Sequence, residues 1–180
     1  CNTLFADLAF STEVTGGVNV WGTYSASVEM LEIYNEEPGD TLRRNATFFT
    51  QGTYYDYICI SEGGYTYDDT GAPIKKGVVG GPDDDNDGYV QSMNSPLNTY
   101  ILRLADVYLT YAEACLGNNE KLTEGPGLEY FNKVRYRAFN GKGDWEKTSI
   151  DFEDIIRERR VEFCMEYCNW YDMVSWYCWK

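Results

Sequence analysis

The sequence contains no histidine. That single absence removes Ser–His and Cys–His nucleophile pairs, histidine metal sites and the commonest general base. There is also no run of about 18 apolar residues, so nothing in it reads as a membrane-spanning helix. Cations are scarce, 15 basic residues against 29 acidic, for a net charge of −14. A surface so poor in Lys and Arg cannot track phosphates, which excludes nucleic acid as a partner. The imbalance is concentrated in residues 1–98, with 4 basic and 15 acidic, whereas residues 99–180 carry 11 and 14. Six cysteines are present (1, 59, 115, 164, 168 and 178), with no C-x-x-C motif. Cys164 and Cys168 lie one helical turn apart, where a disulfide would be strained and no second pair offers a zinc spacing. Cys115 and Cys164 read as small buried hydrophobes on helix stripes. Paired carboxylates could hydrolyse a glycoside, but the pattern singles out no two of them. No catalytic residue is assigned, and the chain is not read as an enzyme.

What is present is helical periodicity in residues 99–180. Ile101, Leu104, Ala105, Tyr108, Ala112, Cys115 and Leu116 recur at spacings of three and four, predicting a helix over 100–116. Gly117 supplies its stop. Leu128, Phe131, Val134 and Ala138 form a second stripe that opens after Gly125-Pro126-Gly127. Small residues at Ala105, Ala112 and Ala114 allow close approach, so the pair reads as one tetratricopeptide-like hairpin that needs neighbours to cover it. Asp151 is the expected cap of a third helix, with Glu153 and Asp154 in the first turn. Its inward stripe reads Phe152, Ile156, Arg159 or Arg160, Phe163, Tyr167, Trp170 and Val174. An inward arginine requires a carboxylate, with Glu162, Glu166 and Asp172 as candidates. The expectation is a structural ion pair, and Arg160 is the residue whose removal should destabilise.

Four segments carry a resemblance: DTLRRNATFF from Asp40, NTYILRLADVYLTYAEA, GLEYFNKVRYRA and IRERRVEFCMEYCNWYDMV. In that order they resemble the SusD/RagB family of glycan-uptake proteins. The resemblance implies a mainly α fold, with tetratricopeptide-like hairpins, long ordered loops and a few short strands. It also implies an outer-membrane surface lipoprotein that binds oligosaccharide, caps a TonB-dependent transporter and is not an enzyme. Family members are longer, so a fragment is expected, with any lipid anchor outside it. Cys1 is not read as a lipidated terminus, because NTLFADLAFST resembles the family's interior.

The organisation expected is a loop-rich, aromatic, acidic part over 1–98 and a helical part over 99–180, together one domain. In the first part, β-like runs at Leu4–Phe10 and Tyr54–Ile60 alternate with Gly-rich turns, and one short helix is expected at Ser27–Tyr34. Asp83-Asp84-Asp85-Asn86-Asp87-Gly88 contains D-x-D-x-D-G, in which Asp83, Asp85 and Asp87 converge on one cation. Asn94 stands where a bidentate Glu is expected, which leaves a solvated acidic loop and a modest calcium site as alternatives. No other cofactor is required.

Two functions compete: a carbohydrate-binding component of an uptake complex, and a helical-repeat protein–protein adaptor. The aromatic loops favour the first. A sugar offers C–H patches to a flat ring and hydroxyls to groups at its rim. Trp21 is the first candidate, followed by Tyr24, Tyr65 and Tyr67. The acidic field favours a neutral glycan over a uronic or sulfated one.

Overall fold

The computed structural model describes residues 25–56, 62–68, 71–76, 100–166 and 168–178. Among these, six helices and one two-stranded sheet form a mainly α chain. The elements are α1 (Val28–Asn35), α2 (Thr41–Thr47), β1 (Thr53–Tyr55), β2 (Tyr65–Tyr67), α3 (Leu104–Leu116), α4 (Pro126–Ala138), α5 (Phe152–Glu162) and α6 (Cys168–Cys178). The chain divides into two units, Cys1–Leu31 with Asn45–Thr99, and Glu32–Arg44 with Tyr100–Lys180. The segment Glu32–Arg44 thus joins the helical part, although it lies before residue 98.

In the helical unit, α3 and α4 pack as an antiparallel hairpin. The end of α3 meets the start of α4, where Gly127 leaves no space for a Cβ beside Cys115 and Leu122. Nearer the start of α3, Tyr108 stacks on Tyr130 with ring centres 4.7 Å apart. Pro126 opens α4 at a position where its missing N–H costs nothing, two residues earlier than the Gly-Pro-Gly pattern predicts. The stripe Leu128, Phe131, Val134 and Ala138 is buried as expected. The α3 stripe needs correction. The helix starts at Leu104, because Arg103 is extended, and Ile101 and Leu104 are exposed (94% and 62%), whereas the unpredicted Leu109 is fully buried. These stripes join Ile150, Ile155 and Phe163 in one core. Cys164 is buried as expected, while Cys115 is only half-buried.

Asp151 caps α5 in a reciprocal box with Asp154, at 3.0 and 3.2 Å. The expected single third helix is two. Helix α5 stops at Glu162, and the chain turns through Met165 at φ +63° before α6 begins. Trp170 and Val174 are therefore exposed (67% and 44%), not inward, and Tyr167 lies outside the described residues.

In the first unit, β1 and β2 pair antiparallel, with Thr53 opposite Tyr67 and Tyr55 opposite Tyr65. Phe48 pairs with Ile74, and Phe49 donates its N–H to the Pro73 carbonyl at 3.0 Å. Phe48 and Phe49 are wholly buried. Helix α1 is close to its expected range, and Ser27 Oγ caps it by accepting from Met30 N at 3.2 Å. Helix α2 falls in a stretch that the sequence pattern reads as loop. The runs Leu4–Phe10 and Tyr57–Ile60 lie outside the described residues.

Candidate functional site

Charged side chains in the helical unit form a buried lattice centred on Glu158-Arg159-Arg160-Val161-Glu162-Phe163. Glu158 accepts from Arg43 at 2.5 Å and from Arg135 at 3.0 Å. Arg43 is in turn held by Asp40 at 2.6 Å. Arg135, also fully buried, makes a two-pronged pair with Glu37 at 2.9 and 3.1 Å. Arg159 reaches Asp106 at 2.7 Å and both oxygens of Asp172 at 2.9 and 3.0 Å. Glu162 collects Arg103 at 3.0 Å, Arg43 at 3.4 Å and Arg137. Arg103 also grips Glu166 at 2.6 and 2.9 Å. Phe163 lies beneath two of these guanidiniums, 4.9 Å from Arg103 and 5.1 Å from Arg159. Tyr34 closes the array by donating to the Val161 carbonyl at 2.9 Å.

Electrostatics follow from the geometry. Burial alone would raise the Glu162 carboxyl, but Arg137, Arg43 and Arg103 outweigh it and hold it below the ordinary value of 4.5. Glu37 is lowered in the same way, with Arg135 and Arg157 overcoming its burial. Burial works against the charged form of Arg43, Arg103, Arg135 and Arg159, yet their carboxylates raise all four. Every cation here is matched, so this lattice is structural. The inward arginine of α5 is Arg159, whereas Arg160 is half-buried. Of the candidate carboxylates only Asp172 meets Arg159; Glu162 and Glu166 serve other arginines, and Asp106 was not foreseen.

The aromatic residues of the first unit have the chemistry for a sugar. Tyr55, Tyr65 and Tyr67 share one face of the hairpin and surround Phe49, at ring distances of 5.0, 6.4 and 5.6 Å. Tyr67 is buried and Tyr65 half-buried, so these two sequence candidates pack onto Phe49 together. Tyr54 points the other way, is 58% exposed, and donates its hydroxyl to the Gly63 carbonyl at 2.5 Å. Period-two alternation in Thr53-Tyr54-Tyr55 is the signal that distinguishes Tyr54 from its neighbours. Lys75 donates to the Asn45 carbonyl at 2.6 Å and sits 4.5 Å over the Tyr55 ring; burial pushes its ammonium down to about 8. Trp21, Tyr24, Asp83, Asp85 and Asp87 lie outside the described residues. Among the described residues no cluster of acidic or cysteine side chains could hold a metal.

A tetratricopeptide-like helical hairpin knit by buried ion pairs, with an aromatic β-hairpin beside it in sequence, defines a mainly α scaffold class. A model of the SusD family matches residues 50–180, and the chain belongs to that family. A SusD-like protein of Bacteroides ovatus is 71% identical over 177 residues, which is 98% of this chain and 31% of that protein. SusD-like protein P25 of Formosa agariphila is 39% identical over 83 residues, 44% of this chain and 15% of that one. A crystal structure solved with a xylogluco-oligosaccharide is 71% identical at a TM-score of 0.90, covering 98% of this chain and 35% of that chain. A second crystal structure, 70% identical, also matches at 0.90. The chain thus spans about a third of the length of these first relatives.

Proposed function

We propose that this chain is part of a carbohydrate-binding protein, a non-enzymatic component of a glycan-uptake complex with a TonB-dependent transporter. Its place would be the outer membrane, as a surface-exposed lipoprotein. One observation carries the reading: a chain 71% identical, with the same fold over 98% of these residues, was solved with a xylogluco-oligosaccharide. The ligand proposed here is of that kind, neutral and hydroxyl-rich, which suits a net charge of −14. The helical unit supplies rigidity through its ion-pair lattice. The aromatic unit supplies stacking faces, with Trp21, Tyr24 and the outward Tyr54 favoured over the enclosed Tyr67. For Asp83, Asp85 and Asp87 a modest calcium site and a solvated acidic loop are separated by a chelator: a melting temperature lowered in the wild type but not in Asp85→Ala supports calcium, and no chelator effect leaves the solvated loop.

Titration calorimetry of the intact protein against xylogluco-, cello- and anionic oligosaccharides tests the main proposal. Saturable binding to a neutral member is expected, weakened about tenfold in Trp21→Ala, as for one lost stacking contact. Binding that survives Trp21→Ala unchanged removes that residue alone. Silence across the panel, with capture of a protein partner other than the transporter, replaces glycan binding by the adaptor function.

A further inference from the structure

We propose that the helical unit carries a saccharide-binding cleft of its own, along one face of α4, walled by Trp145 and Tyr136. The proposal rests on the glycan-binding reading above and adds a second surface to it. The cleft measures about 630 Å³, within the range of roughly 300–1,000 Å³ typical of ligand sites. Trp145 and Tyr136 meet at 5.0 Å with their planes at 85°, so they form a corner of two apolar walls. Leu128 contributes to its lining, and Glu129, Asn132, Lys133 and Lys147 are among its polar residues.

The corner is built in advance. Arg135, itself clamped between Glu37 and Glu158, donates to the Trp145 carbonyl at 2.6 Å and the Asp144 carbonyl at 3.3 Å. Asn132 engages the Lys147 backbone on both sides, donating to its carbonyl at 2.8 Å and accepting from its N–H at 2.9 Å. On the far side, Gly141 at φ +65° lets the Tyr136 ring lie where a Cβ would collide with it. A ligand would therefore not have to order this loop, which preserves affinity. The aromatic surface is also open. Tyr136 is 55% exposed and Trp145 half-buried, whereas a tryptophan serving only to fill a core would be enclosed.

Rim charge selects the ligand class. The lysines have partners, Lys147 with Asp154 at 3.1 Å and Lys133 over the Tyr130 ring at 4.4 Å. The Glu129 carboxylate makes no hydrogen bond or ion pair among the described residues, while its backbone N–H donates to the Gly125 carbonyl at 3.2 Å. Free acceptors beside committed cations repel a polyanion and suit the hydroxyl donors of a neutral sugar, whose C–H face would lie on Trp145.

Hydroxyl-radical footprinting of the intact protein, with and without a xylogluco-oligosaccharide, tests this alongside affinity electrophoresis in xyloglucan gels. Trp145 and Tyr136 should be protected by the sugar. Trp145→Ala should weaken retention about three- to tenfold, and Trp21→Ala should leave residual retention. If Trp145→Ala lowers the melting temperature, Glu129→Gln at the rim carries the comparison, with weaker retention expected. Sugar binding with Trp145 unprotected and retention unchanged in both Trp145→Ala and Glu129→Gln overturns the cleft and leaves the proposed function standing. No binding of any neutral sugar by the wild type overturns both.

Discussion

A guanidinium taken out of water costs several kcal/mol unless carboxylates meet it, and Arg159 has two. Removing it strands Asp106 and Asp172 in partly buried positions. Arg159→Ala should therefore destabilise by about 3–5 kcal/mol, read as a lower denaturant midpoint with an unchanged slope, whereas Arg160→Ala costs less. Equal costs for the two would count against the assignment. Glycan affinity, measured where both variants remain folded, should not change, because neither guanidinium is proposed to touch ligand. Each segment that carries the family resemblance supplies members of this lattice: Asp40 and Arg43, Arg103 and Asp106, Arg135 and Arg137, Glu158 to Glu162, and Asp172. The most recognisable residues of the chain are thus structural ones. A spacing argument could place an arginine inward on α5, but it could not say which of several acids lay opposite.

Among the elements, the α3–α4 hairpin depends on one backbone approach. An added Cβ at Gly127 would fall 2.6 Å from the Cys115 Cβ and 2.8 Å from Leu122 Cδ2. Gly127→Ala should destabilise by about 1–3 kcal/mol as the helices are forced apart, against a helix-propensity gain of up to about 1 kcal/mol. A raised melting temperature would show that the hairpin yields without cost. The break between α5 and α6 has a geometric cause. Arg159 and Asp172 are 13 residues apart, a span of about 20 Å along a continuous helix. Their 2.9 Å contact requires the chain to fold back, which Met165 allows at positive φ. Periodicity ran through that point because the apolar residues on either side keep roughly helical spacing.

For the whole molecule, acid sensitivity should follow from the depressed carboxyls. Glu162 and Glu37 ionise more readily when folded than the ordinary value of 4.5. Their contribution to stability is therefore complete above pH 4.5 and is lost as pH falls through 4.5 and below. Urea unfolding at a series of pH values should show stability falling across that window. Glu162→Gln, already destabilised at pH 7, should show a shallower fall. A parallel pH profile in the variant would mean that other carboxylates dominate.

The α4 stripe, the buried part of the α3 stripe, the Asp151 cap, the Gly117 stop and the four family segments are legible in the sequence. They rest on local rules: 3.6-residue periodicity, capping chemistry and the tolerance of glycine for positive φ. Tertiary structure alone decided the partners of each buried charge and the joining of Glu32–Arg44 to the helical unit. Arg43 and Glu158 are separated by 115 positions. An ion pair across that distance is selected by which surfaces the folded chain brings together, and no local pattern encodes it.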